Sequence, residues 1–280
     1  MRYSRPQSLD ELLRHLCSVS GDVCVLLAGG TDLMPRYEQG MSMPEELVDV
    51  KHVAELSGIT LHGDHFEIGA LTTIEEIKRS EEIRSRTLSL AEAGDEFAAV
   101  QIRHRATIGG NIVNASPAGD LIPPLVAMDA QLNIVSRTEQ RSVPIQEFTL
   151  GPGKTALKPG EILKSITVPI SGADSRFVKL GLRKAMAISV VNFAIVYKAT
   201  SSGFESLRIA AGAVAPTVVT LDAFTNAVLD DPKAIDRGID LVDKSIAPID
   251  DLRASAMYRR KALKNLLKHT LHQVLEDSSE

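Results

Sequence analysis

Residues 23–33 read Val-Cys-Val-Leu-Leu-Ala-Gly-Gly-Thr-Asp-Leu, an apolar run that ends in a pair of glycines. The run 23–27 predicts a strand, and the segment that begins at Asp32 predicts a short helix. Glycine lets a backbone turn tightly and approach a ligand closely, so that its amides can point at an anion. With a further strand predicted at 47–50, this stretch indicates a β-α-β unit at the start of the fold.

A second glycine loop lies about eighty residues later. It reads Thr107-Ile108-Gly109-Gly110-Asn111, and residues 115–120 continue it as Ala-Ser-Pro-Ala-Gly-Asp. Like the first loop, it feeds into a predicted helix, where backbone amides favour anions. The hydroxyls of Thr31, Thr107 and Ser116 would add donors without positive charge. Two such loops suit a pyrophosphate held from two sides, which indicates a large dinucleotide ligand.

The pattern is not the Rossmann fingerprint, since G-x-G-x-x-G and its ribose-binding acid are both missing. A lone Gly-Gly turn is more often structural, and only the pair of loops favours an anion site. Asp32 carries the wrong charge to hold phosphate and is interpreted as a helix cap. Asp120 has two open interpretations: it caps a helix at 121–128, or it accepts hydrogen bonds from ribose hydroxyls.

Composition narrows the function classes. The formal charge of -5 over 280 residues argues against nucleic acid as the main partner. The sequence shows no signal peptide and no apolar run long enough to span a membrane, so a cytoplasmic protein is expected. Cys17 and Cys24 are the only cysteines, and an iron–sulfur cluster normally takes four. This chain is therefore not expected to hold a cluster or another metal.

Two other motifs give little information about the function. The run 151–155, Gly-Pro-Gly-Lys-Thr, ends like a P-loop, but position 148 is Phe where that motif needs glycine. Arg259 opens a basic stretch of the last predicted helix, whose leucine stripe indicates a helix that packs on the core or on a partner.

Periodicity predicts an α+β chain in two parts that divide near residue 173. Strands are predicted at 23–27, 47–50, 59–61, 66–68, 131–135, 141–143, 162–168, 177–182, 190–199 and 207–213. Helices are predicted at 8–16, 73–78, 88–99, 121–128, 221–229, 232–244 and 250–275.

These residues together resemble a known family. The sequence is similar to the FAD-binding medium subunit of molybdenum hydroxylases. The similarity lies in residues 28–33, 107–111 and 115–120, in Pro159-Gly160-Glu161-Ile162-Leu163, and in the run 183–188. That family includes xanthine dehydrogenase and carbon monoxide dehydrogenase. The resemblance implies an FAD-binding domain of the vanillyl-alcohol-oxidase (PCMH) type in two subdomains over residues 1–173. It also implies a smaller C-terminal α+β domain over residues 174–280.

The resemblance also implies a set of FAD contacts. They are Ala28, Gly29, Gly30, Thr31, Asp32, Leu33, Phe97, Thr107, Gly109, Gly110, Asn111, Asn114, Asp120, Leu163, Lys179 and Ile188. The two glycine loops would line the pyrophosphate, with Asn114 and Asp120 toward ribose and diphosphate. Phe97 would pack near the flavin or adenine ring. Ile188 stands in front of the flavin where carbon monoxide dehydrogenases carry tyrosine, which favours a xanthine- or nicotinate-type relative.

The implied function is electron transfer. A large molybdopterin-binding subunit would oxidise the substrate, and a small subunit with [2Fe-2S] clusters would relay electrons to FAD on this chain. The flavin would then reduce NAD, a quinone or oxygen, and no side chain here need act as an acid or base. A dimer of heterotrimers is expected. The alternative is a self-contained flavin oxidase or reductase of the same fold superfamily.

Overall fold

The computed structural model describes residues 1–18 and 24–278. Its first unit is a parallel sheet of order β1-β3-β2. The strands are β1 (Arg2–Ser4), β2 (Cys24–Leu27) and β3 (Glu46–Asp49), with helices α1 (Leu9–Ser18) and α2 (Leu33–Glu38). The predicted β-α-β unit is therefore confirmed, although Val23, its predicted first residue, lies outside the described residues.

The second unit is an antiparallel sheet of order β4-β5-β10-β6-β7. Its sequence runs β4 (Ile59–His62), β5 (His65–Gly69), β6 (Gln131–Val135), β7 (Gln140–Pro144), a side hairpin β8 (Thr149–Gly151) and β9 (Lys154–Thr155), and β10 (Ile162–Pro169). The face that carries Phe66, Ile134 and Ile166 is fully buried against helices. Alternating burial along these strands matches the period of a sheet with one covered face.

Short helices cover that face. They are α3 (Ile74–Arg79), α4 (Glu81–Arg86), α5 (Leu88–Asp95), α6 (Val100–Arg103), α7 (Ile108–Val113), α8 (Ile122–Ala127) and, beside the hairpin, α9 (Ile145–Phe148). Thr73 and Glu76 form a capping box at the start of α3. The helix predicted over 88–99 ends early, because the chain turns at Ala98, whose φ is +37°.

The C-terminal unit is an antiparallel sheet of order β11-β12-β13-β14 with helices on one face. Its elements are β11 (Asp174–Gly181), β12 (Ser189–Thr200), β13 (Gly203–Gly212), β14 (Val219–Thr220), α10 (Asp222–Asp230), α11 (Ala234–Arg237), a 3₁₀ turn (Ile239–Lys244) and α12 (Ala256–Asp277). The helix predicted at 232–244 breaks at Gly238. The helix predicted from 250 begins at Ala256, because Ser255 caps it.

The leucine stripe of α12 serves the protein's own core. Leu263, Leu267 and Leu271 are fully buried against the C-terminal sheet. Of the two interpretations of this helix, the structure therefore supports core packing. Among the described residues, no helix is long and apolar enough to cross a lipid bilayer.

Candidate functional site

A cavity of about 490 Å³ lies between the parallel sheet and the helices of the second unit. Thirteen of the sixteen predicted FAD contacts line it. They are Ala28, Gly29, Gly30, Thr31, Asp32, Leu33, Phe97, Thr107, Gly109, Gly110, Asn111, Asn114 and Leu163. The fold thus brings both glycine loops to one cavity, although they are far apart in the sequence.

The first loop is shaped by its two glycines. Gly30 has a φ of +73°, in the left-handed region that side chains with a Cβ rarely adopt. A Cβ on Gly29 would lie 1.9 Å from the carbonyl oxygen of Arg105. Only glycine therefore lets the first loop pack directly on the backbone that leads into the second loop.

The second loop begins α7. The Thr107 side chain accepts a hydrogen bond from the amide of Gly110 at 3.0 Å and caps the helix. A Cβ on Gly109 would lie 2.6 Å from the carbonyl oxygen of Ala70, so this glycine permits close packing on the β5 end. These contacts fix the turn that faces the first loop across the cavity.

Asp32 occupies the N-cap position of α2, as predicted, but its side chain does not cap the helix in the described structure. Instead the Asp32 carboxylate pairs with Arg36 Nε at 2.7 Å. Arg36 also donates to Asn114 Oδ1 at 3.0 Å and so links the first loop to the end of α7. The predicted capping role is therefore corrected, because the carboxylate is turned toward Arg36, one helical turn on, and not toward the backbone amides of the helix.

Apolar side chains form most of the remaining wall, and the sequence analysis did not assign them to the site. They include Leu12, Leu26, Leu27, Val50, Leu56, Ala70, Leu71, Ile102, Ala106, Val113, Leu157 and Ile162. Helical and strand periodicity identifies such residues as core, and it cannot tell a core face from a cavity wall. An apolar cavity with a few polar groups is typical of small-molecule sites.

Glu161 lines the cavity with a side chain that is 6% exposed, although its sequence motif did not identify it as a site residue. Arg141 forks onto both of its oxygens at 2.8 Å, and the amide of Lys158 donates to it at 2.7 Å. The hydrogen bonds from Arg141 hold the pKa of Glu161 below its usual range. This side chain is therefore a fixed anion that fastens the strand before Leu163.

Asp120, Lys179 and Ile188 lie outside the cavity lining as the described residues define it. Asp120 is buried and accepts hydrogen bonds from Lys179 at 2.7 Å, Ser189 at 2.6 Å and Asn192 at 2.9 Å. The predicted cap on α8 is wrong, since the carboxylate faces the C-terminal sheet and Leu121 holds the N-cap position. Asp120 thus joins the end of the second loop to β11 and β12.

Lys179 reaches back to the cavity wall, and Ile188 is exposed. The Lys179 ammonium donates to the carbonyl of Glu96 at 3.0 Å, directly before Phe97. The Ile188 side chain is 62% exposed, in a loop that Arg183 closes by donating to the carbonyl of Met186. Lys179 is therefore linked to the cavity wall through Glu96, whereas Ile188 lies in an exposed loop outside the cavity lining.

The cavity fits a dinucleotide on two observations. Asn111 Oδ1 is buried and has no hydrogen-bond partner within residues 1–18 and 24–278, so it would accept a donor from a ligand. Gly30 has a positive φ, and a Cβ there would also lie 3.1 Å from Leu27 Cδ1 and 3.3 Å from Met34 Cγ, so the first loop lines the cavity with bare backbone at this position. The amides of the first loop suit phosphates, and the apolar wall suits a planar ring system.

These features define a dinucleotide-binding α+β protein. Residues 1–171 match the family described as "FAD binding domain in molybdopterin dehydrogenase", and residues 176–274 match "CO dehydrogenase flavoprotein C-terminal domain". The chain belongs to this family of flavoprotein subunits, so its cofactor is FAD. The predicted fold class and the predicted family are confirmed.

Similar proteins support the same family assignment. The chain is 31% identical to the xanthine dehydrogenase FAD-binding subunit of Escherichia coli O157:H7 over 257 residues, which cover 89% of this chain and 88% of that subunit. It is 30% identical to the carbon monoxide dehydrogenase medium chain of Hydrogenophaga pseudoflava, over 96% of this chain and 95% of the relative. The chain is thus similar to subunits of oxidoreductase complexes and is itself an oxidoreductase flavoprotein subunit.

Solved structures show the same architecture. The carbon monoxide dehydrogenase of Hydrogenophaga pseudoflava contains a chain that matches with a TM-score of 0.92 at 29% identity, covering 98% of both chains. A chain of the Cu,Mo-CO dehydrogenase matches with a TM-score of 0.90 at 28% identity, covering 96% of this chain and 95% of that one. Both domains of this chain therefore follow the fold of those medium subunits.

Proposed function

We propose that this chain is the electron-transfer subunit of a molybdenum-containing hydroxylase or dehydrogenase. Bound FAD would accept electrons from [2Fe-2S] clusters on a partner subunit and pass them to an external acceptor such as NAD, a quinone or oxygen. The observation that carries the proposal is the cavity framed by two glycine loops. The sequence has two cysteines, whereas an iron–sulfur cluster normally takes four, which supports clusters on another chain.

The side chains and amides of the cavity would bind and orient the cofactor. We assign the loop 28–33 and the facing loop of Thr107, Gly109, Gly110 and Asn111 to the pyrophosphate, because both loops line the cavity. The first loop would donate from its backbone amides and the Thr31 hydroxyl, and the second loop from the Thr107 hydroxyl, since the amides of Gly109, Gly110 and Asn111 already donate within the protein. Phe97 and Leu163, on the apolar side, would contact the ring systems. The buried Asn111 Oδ1 would accept a hydrogen bond from a ligand hydroxyl.

Asp120 of the first domain, with Lys179 and Ile188 of the C-terminal domain, would complete the site. Asp120 and Lys179 form a buried ion pair beside Glu96, so they would hold the wall against which the cofactor lies. Ile188 would stand in front of the flavin. The exposure of this side chain supports a role at a surface that a partner or an acceptor approaches.

The partners follow from the relatives' names. Medium chains belong to complexes with other subunits, and we propose a large molybdopterin-binding subunit, a small iron–sulfur subunit and a dimer of heterotrimers. We also propose a cytoplasmic location and a domain division between residues 173 and 174.

The alternative is a self-contained flavin oxidase or reductase. Such an enzyme needs a base beside the flavin with a pKa near the working pH. Glu161 lines the cavity, but Arg141 holds its pKa below the usual range and occupies both of its oxygens. This arrangement disfavours Glu161 as a proton acceptor and so favours the electron-transfer subunit.

Purification of the native protein from its source tests the proposal. We expect this chain to co-purify with one larger and one smaller partner subunit. The preparation should contain FAD, iron and molybdenum. A preparation that holds only this polypeptide and FAD, without metals, would support the oxidase alternative instead.

A further inference from the structure

The turn between α5 and α6 has a strained backbone at the cavity wall. Ala98 lines the cavity beside Phe97 and has a φ of +37°, a region that residues with a Cβ rarely adopt. Strained backbone of this kind persists only where the surrounding structure holds it in place. Neighbouring groups must therefore hold this turn in its conformation.

Buried cations hold three successive carbonyl groups of the turn. The Arg103 guanidinium donates to the carbonyl of Phe97 at 2.9 Å and to that of Ala98 at 3.4 Å. The Lys179 ammonium donates to the carbonyl of Glu96 at 3.0 Å. Each cation has a carboxylate partner, which is Glu75 for Arg103 and Asp120 for Lys179.

Glu75 orients the guanidinium. Its side chain is 7% exposed and accepts from Arg103 Nε at 3.0 Å and from Arg79 Nε at 2.7 Å. Burial alone would raise the pKa of Glu75, but the hydrogen bonds from Arg103 and Arg79 outweigh burial and lower it. The carboxylate therefore stays charged, and the fork of Arg103 keeps one direction, toward the turn.

We infer that Arg103, oriented by Glu75, is a positioning residue for FAD binding, because its guanidinium holds the strained turn at Phe97 and Ala98 that forms one wall of the cavity. The inference rests on the proposed assignment of this cavity to FAD. Arg103 itself lies behind the wall, at 9% exposure, and acts through the turn.

The test is the FAD affinity of the Arg103→Lys chain. Lysine keeps the positive charge but lacks the planar guanidinium with its several N–H donors. It therefore cannot donate to the Glu75 carboxylate and to the carbonyls of Phe97 and Ala98 at the same time. We expect the FAD dissociation constant to rise roughly tenfold, as for the loss of one hydrogen bond to a charged group.

Arg259→Lys is the matched control. Arg259 is also buried, and its guanidinium donates to the carbonyls of Val190 and Ala213 and to the Asp251 carboxylate, away from the cavity lining. Both variants should lose thermal stability, but only Arg103→Lys should lose FAD affinity. The visible circular dichroism of FAD at saturation should change in Arg103→Lys and stay as in the wild type in Arg259→Lys.

A rescue variant separates positioning from general stability. Glycine adopts a positive φ without strain, so Ala98→Gly added to Arg103→Lys should restore FAD affinity severalfold. If Arg103→Lys does not fold, Glu75→Gln is the second variant, and it should weaken FAD binding in the same direction.

Three results would overturn the inference: equal affinity losses in the two lysine variants, no rescue by Ala98→Gly, or unchanged FAD affinity in Glu75→Gln. A wild-type chain that does not bind FAD at all would instead refute the proposed function, and the inference with it.

Discussion

Gly29 lies directly on the carbonyl group of Arg105, so that an added Cβ would be 1.9 Å from the carbonyl oxygen. Arg105 is two residues before Thr107, which begins the second glycine loop, and its own Nε lies 3.4 Å from the carbonyl of Gly29. The backbones of the two loops are therefore fixed relative to each other by direct contact. The width of the proposed FAD site depends on this contact.

Gly29→Ala should abolish FAD retention, because a methyl group at this position must push the two loops apart. Gly63→Ala is the control, since a Cβ at Gly63 would meet no atom within 4 Å and this glycine lies in the β4–β5 turn. Flavin content per polypeptide after gel filtration measures the effect. Normal flavin content in Gly29→Ala would contradict the assignment of the loops.

Asp120→Ala should weaken FAD binding far more than Asp32→Ala. Removal of the Asp120 carboxylate leaves Lys179 buried without its charge partner, which costs about 3–5 kcal/mol of folding stability for buried pairs. It also releases the Lys179 ammonium that holds the cavity wall at Glu96, next to Phe97. Asp32 and Arg36 are both about half exposed, where a pair contributes about 0–1 kcal/mol. FAD titration into both apo variants decides this, and equal losses or the reverse order would refute the difference in roles.

Thr107→Ala should destabilise the apo chain by about 1 kcal/mol, because the hydroxyl caps α7 through the amide of Gly110. Thr107→Ser keeps the hydroxyl and should retain most of that stability. Chemical denaturation of the three apo chains measures the difference. Equal free energies of unfolding for the alanine and serine variants would show that the cap does not stabilise this loop.

The Arg141–Glu161 pair predicts a pH dependence. The pKa of Glu161 is lowered in the folded chain, mainly by hydrogen bonds from Arg141, and lies near its usual value of about 4.3 in the unfolded chain. The pair therefore stabilises the fold above about pH 4.3, and this contribution is lost as the pH falls through the folded-state pKa. At about pH 7 the wild-type chain should be more stable than Glu161→Gln, and the difference should shrink below about pH 4.

Glu147→Gln is the control for that experiment, because Glu147 is exposed. Its free energy of unfolding should follow the wild type at all pH values, as measured by urea denaturation of the apo chains. A difference between wild type and Glu161→Gln that stays constant with pH would contradict the account of this pair.

Sequence patterns predicted the main elements of the fold because most of them are local. Thr73 caps α3, and Gly30 adopts the positive φ of the tight turn predicted at the first loop. The break after Asp95 could not be predicted in this way, since it depends on side chains from elsewhere. Arg103 and Lys179 hold the carbonyls at the turn, and Lys179 is far away in the sequence.

In the candidate site, too, the residues in short local motifs were predicted, and those that depend on contacts from distant parts of the chain were not. The loops carry their chemistry in short runs, so the residues at 28–33 and 107–111 were predicted and now lie at one cavity. The apolar wall has the same periodicity as core, and no local signal distinguishes Leu56 or Ile102 from a packed residue. Asp120 was assigned a local cap or a ligand contact, whereas the structure gives it three partners on the C-terminal sheet.

The most direct test of the central claim follows the visible absorption of the flavin on this chain. The isolated chain, loaded with FAD and kept without oxygen, is mixed with an organic substrate that its native complex oxidises. We expect the flavin to stay oxidised until the molybdenum and iron–sulfur subunits are added, and then to be bleached. Bleaching by the substrate with the isolated chain alone would contradict the electron-transfer role.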